Sequence, residues 1–112
     1  MSALYIMEYQ GTGGSLGAGV LYIGRGRILG TDIGRSRYEG TYVERDGRVL
    51  AKARITAGRN SGFLVTGVTL PPGQSLPIEA DWPLDFADGA IQSVKVDGAT
   101  VHVSLEKIGD IP

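Results

Sequence analysis

Arg48-Val49-Leu50-Ala51-Lys52-Ala53-Arg54-Ile55-Thr56-Ala57 carries an apolar residue at every odd position, and among its even positions only Leu50 is apolar. Alternation with a period of two is the signature of a strand with one buried face. Length agrees with periodicity. The longest runs free of Gly and Pro are 1–10, 48–57 and 99–108, each ten residues, whereas a mean globular helix needs about 11–12. In 99–107 the pattern repeats: Val101, Val103 and Leu105 alternate with His102, Ser104 and Glu106.

Outward from these two strands the chain is punctuated by turns. Asp46-Gly47 and Asp97-Gly98 each separate two apolar-rich runs, and Asp-Gly supplies the positive φ angles of tight hairpins. Gly24-Arg25-Gly26 reads as a third turn, and Pro71-Pro72-Gly73 as a type II turn with Gly at its third position. The resulting strands are 3–9, 16–23, 27–31, 37–44, 48–57, 62–70, 75–81, 90–96 and 99–107. Only 81–89 offers a helical turn, with Asp81 as its cap and Gly89 as its stop. Short connections predict antiparallel neighbours. A meander of eight or nine strands removes its unpaired edges by closing on itself. The expectation is therefore all-β: one domain, 1–112, a small antiparallel up-and-down barrel of about eight strands with at most one short helix.

Composition narrows the classes. The chain has 112 residues, of which 18 are Gly, with no Cys, one His, one Trp and a formal net charge of -1. Without cysteine there is no disulfide framework and no thiolate chemistry. No basic, apolar leader opens the chain, and the longest uncharged stretch, 60–78, is broken by three Gly and three Pro. A membrane partner is therefore not expected, and a cytoplasmic protein is. Charge is segregated: residues 25–59 hold nine Lys/Arg and four Asp/Glu, while 79–110 hold two and seven. Arginines around the turns could meet phosphates, but aromatic interleaving for base stacking is thin, so nucleic acid is not expected as a partner. Complementary halves favour subunit pairing instead.

Within the first 43 residues, Leu4-Tyr5-Ile6 leads to Tyr9, then to Gly17-Ala18-Gly19-Val20. Gly26-Arg27-Ile28-Leu29-Gly30-Thr31-Asp32 and Tyr38-Glu39-Gly40-Thr41-Tyr42 follow. This order of motifs resembles the bacterial GrlR-like family, named for a negative regulator of type III secretion. Thr31 stands where that pattern has a second Gly. The resemblance implies a lipocalin-like barrel that dimerises around an apolar cavity and takes part in transcription regulation. The family's acidic partner-contact run falls here on Glu44-Arg45-Asp46-Gly47. Glu44 and Asp46 match it as a candidate partner-contact loop and Arg45 and Gly47 depart from it, while a plain hairpin explains Asp46-Gly47.

Other constellations have plain structural explanations. Gly11-Thr12-Gly13-Gly14-Ser15-Leu16-Gly17-Ala18-Gly19 has Leu16 where a dinucleotide fingerprint needs its last Gly, and a strand follows instead of a helix. His102 has no clustered metal ligands, and Asp81, Asp85 and Asp88 read as capping and solvated carboxylates. No cofactor, metal or catalytic residue is expected. The leading expectation is a non-enzymatic module that binds a small apolar ligand or presents a surface to a regulator protein. The alternatives are an enzyme acting at the barrel mouth or a purely structural dimer subunit. Apolar residues on both sides of the first two strands point to a homodimer, with Leu4, Ile6, Leu21 and Ile23 as its candidate face. Trp82, Leu84 and Phe86 are the competing cover for that stripe.

Overall fold

The structure, a computed structural model, describes residues 1–10, 16–58, 70–88 and 90–112. Among the described residues eight strands run in chain order: β1 (Ser2–Gln10), β2 (Leu16–Gly24), β3 (Arg27–Asp32), β4 (Arg37–Arg45), β5 (Arg48–Thr56), β6 (Ser75–Pro83), β7 (Gln92–Val96) and β8 (Ala99–Asp110). Each pairs antiparallel with the next, and β8 returns to β1, closing an up-and-down barrel. The described residues contain no helix. The strand expected at 62–70 falls outside the described residues except for Leu70, which is buried without strand pairing.

The hairpins follow from local stereochemistry. Asp46 and Gly47 have φ of 53° and 75°, Asp97 and Gly98 of 50° and 83°. Two successive positive φ angles match the right-handed twist of the flanking strands. Arg25 and Gly26 do the same at 53° and 78°, although Arg carries a Cβ that makes such a φ costly. In the Pro71-Pro72-Gly73 turn, the Gln74 amide donates to the Pro71 carbonyl at 3.1 Å and Gly73 has φ of 83°.

Alternation then sorts the side chains. Tyr5 faces Leu21 across the β1–β2 ladder and Ala3 faces Ile23; all four are buried. Val94, Val96, Val101, Val103 and Leu105 are buried on the β7–β8 hairpin, as the alternation in 99–107 requires. This register corrects the candidate dimer face. Leu21 and Ile23 point into the barrel with Tyr5, whereas Leu4 and Ile6 pair with Tyr22 and Val20 on the outside. The physical reason is that directly paired residues share a face, so the odd members of β1 carry the odd members of β2 inward with them.

One barrel end is closed by the segment after β6. Residues 84–87 form turns, not a helix, with the Phe86 amide donating to the Pro83 carbonyl at 3.2 Å. Asp81 is not a cap: it lies within β6 and accepts from Arg48 Nε at 2.7 Å. Phe86 is 1% exposed, its ring 5.4 Å from that of Tyr5 and 5.3 Å from that of Trp82. The segment therefore plugs the barrel from below and does not cover the outer stripe; Leu84 is left exposed. A bridge between Asp88 and Glu106 ties the segment to β8.

Candidate functional site

Above the Phe86 plug lies an interior cavity of about 330 Å³. Its existence follows from the sizes of the inward residues. An eight-stranded barrel fills itself when those residues are large. Here Ala51, Ala53 and Ala80 project inward on neighbouring strands, with Ala51 directly opposite Ala80. Around them the wall is aliphatic, including Ile28, Ile55, Ile78 and Val101, and Trp82 forms part of it. The Trp82 indole N–H is already satisfied by the Ser93 carbonyl at 2.9 Å, so the indole meets the cavity without a free donor.

Polar groups gather at the far end from the plug. Tyr9 Oη and Tyr38 Oη both donate to Asp32 Oδ2, at 2.8 and 2.7 Å. The Ser36 amide donates to Asp32 Oδ1 at 3.1 Å. All four residues line the cavity. The loop between β3 and β4 that sets this geometry is itself held. Thr31 Oγ1 donates to the Ser36 carbonyl at 2.9 Å, and the Arg35 amide to the Asp32 carbonyl at 3.0 Å. Gly17 and Gly19 make room for the cluster from β2. A Cβ on Gly17 would fall within the Tyr9 ring, and one on Gly19 would meet the backbone at Thr31 and Asp32. This explains two glycines of the Gly-rich run without any phosphate; residues 11–15 of that run lie outside the described residues.

Burial is the main reason that the Tyr9 phenol is pushed up to about 12; the Tyr38 hydroxyl opposes the shift and Asp32 adds to it. Tyr38 is raised further, again by burial first and then by Tyr9 and Asp32. Both phenols are therefore protonated donors across the neutral range. At the same end, Leu16 and Ile33 are strongly exposed apolar residues on the cavity wall.

The residues singled out from sequence lie elsewhere. Glu44 and Asp46 are exposed on the β4–β5 hairpin, where Asp46 serves the turn. His102 is exposed on the outer wall of β8, its Nδ1 3.5 Å from Ser93 Oγ. Among the described residues, no three His, Cys, Asp or Glu side chains cluster as metal ligands, and no helix is long and apolar enough to cross a membrane. The Tyr9–Asp32–Tyr38 cluster was not singled out, although one signal pointed to it. Ile28, Gly30 and Asp32 share a strand face, so a buried Ile28 requires Asp32 to face the interior. No family model matches the chain, and no curated protein matches it either.

Proposed function

We propose that the protein is a non-enzymatic, cytoplasmic binding module that holds a small, mainly apolar ligand inside its barrel. The observation that carries this reading is the cavity of about 330 Å³, aliphatic along its length with polar groups at one end. Ligand sites of proteins are typically apolar clefts or cavities of roughly 300–1,000 Å³ with a few placed polar groups. Each methylene taken from water contributes about 0.8 kcal/mol. The resemblance to GrlR-like proteins supports the same reading and adds a regulatory role. A regulator-protein contact at Glu44 and Asp46 rests on that resemblance alone. Native mass spectrometry of protein taken directly from lysate tests the proposal. Retained ligand mass is expected in the wild type and its loss in Ala80→Phe, which projects a ring into the cavity. Ligand-free protein whose Trp82 fluorescence ignores every added apolar probe would refute it.

A second reading, a homodimer, is favoured by the outer faces of β1–β3. Ile6, Val20 and Leu29 are each about two-fifths exposed there, beside half-buried Leu4 and Tyr22. Contiguous apolar surface of this kind often marks an interface. Sedimentation equilibrium at micromolar concentration is expected to give twice the chain mass, and Val20→Lys to give the monomer. A wild-type monomer mass would rule the dimer out.

A further inference from the structure

The polar end of the cavity has an unequal supply of donors and acceptors. Tyr9 and Tyr38 each have one O–H, and both are spent on Asp32 Oδ2. What the phenols still offer inward is oxygen lone pairs. Among the described residues, Asp32 accepts three hydrogen bonds, and an ionised carboxylate has about four acceptor positions. The cluster therefore presents acceptors and a negative charge. Among the described residues, no Lys, Arg or His lines the cavity to compensate an incoming anion. The Ser36 hydroxyl is one neutral donor beside a full carboxylate charge and does not offset it. Burying an unpaired charge, or two like charges together, is strongly unfavourable.

We infer that the cavity selects ligands with an apolar body and a single hydrogen-bond-donating head, a hydroxyl or an amine, seated on Asp32 between Tyr9 and Tyr38, and that it rejects carboxylate-headed molecules such as fatty-acid anions. This inference rests on the ligand-binding reading above and specifies its chemistry. The head would lie at the Tyr9–Asp32–Tyr38 end, and the chain would run along Ile28, Ile78 and Val101 toward Trp82. A hydroxyl or ammonium head gives Asp32 a further hydrogen bond, and an ammonium also neutralises it.

Decanol, decylamine and decanoate share one apolar body and differ in the head. Trp82 is the chain's one tryptophan and part of the wall, so its fluorescence reports occupancy. Decanol and decylamine are expected to bind at least tenfold more tightly than decanoate. A larger gain for decylamine would identify a cationic head, and equal gains a neutral donor; both support the inference. Asp32→Asn is expected to reduce the preference of decylamine over decanoate by tenfold or more. Should Asp32→Asn fail to fold, the wild-type ranking alone decides, and Tyr9→Phe provides a milder perturbation of the same head site. Decanoate binding as tightly as the other two, or more tightly, would overturn the head assignment while leaving the cavity reading intact. No response to any of the three would overturn both.

Discussion

The two ends of the barrel are built from the same residue type for opposite purposes. At the closed end, the Phe86 ring packs at a tilt against those of both Tyr5 and Trp82, and the Trp82 N–H is tied off on the Ser93 carbonyl. At the polar end, Tyr9 and Tyr38 turn their hydroxyls onto one carboxylate and stay half-buried. Aromatic residues stabilise through area and ring contacts, and their polar atoms are liabilities unless bonded. The closed end therefore holds the fold, while the polar end trades packing for a specific arrangement of hydrogen bonds. The difference shows where stability and selectivity reside in so small a barrel.

The strongest way to break this contrast is Phe86→Ala. Removing a large buried aromatic residue typically costs about 3–5 kcal/mol. A melting-temperature drop on the order of 10 °C or more is expected, with the ranking of alcohol, amine and carboxylate probes unchanged. An altered ranking would show that the two ends are coupled. Tyr38→Phe attacks the other end. Loss of a hydrogen bond to a carboxylate is worth about 1.5–3 kcal/mol, so chemical denaturation should show a smaller destabilisation. Here the probe ranking is expected to change as well.

Alkaline titration sharpens the contrast further. Tyr9 and Tyr38 have raised values in the folded protein, against about 10 in an unfolded chain. The folded state thus holds protons that the unfolded state releases. Their contribution is whole below pH about 10. For Tyr9 it is lost as pH rises through about 12, and for Tyr38 the loss extends higher. Melting temperatures across the alkaline range are expected to fall from near pH 10, and less steeply in Tyr9→Phe. The smallest effect belongs to the outer wall. The Arg54–Glu39 ion pair, at 2.9 Å, is exposed on both sides, and exposed pairs are worth about 0–1 kcal/mol. Arg54→Ala should shift neither the melting temperature nor probe binding appreciably, and a large shift would mean that the outer wall matters more than burial suggests.

Much of this is legible in the sequence. The ten-residue ceiling on Gly/Pro-free runs, the alternation in 48–57 and 99–107, and the Asp-Gly turns are local properties, and local sterics suffice to demand short antiparallel strands. That Ile28, Gly30 and Asp32 share one strand face is local in the same way. Three matters depended on partners distant in the chain. Which face of β2 is inside depended on its register against β1, so Leu21 and Ile23 were assignable only once Tyr5 and Ala3 were opposite them. Whether Phe86 covers the outer wall or plugs the end depended on where β6 delivers it. That Tyr9 and Tyr38 share the Asp32 carboxylate depended on three strands arriving at one rim. Alternation along a strand fixes two faces but does not say which is interior, because that choice is made by pairing and closure across the whole barrel.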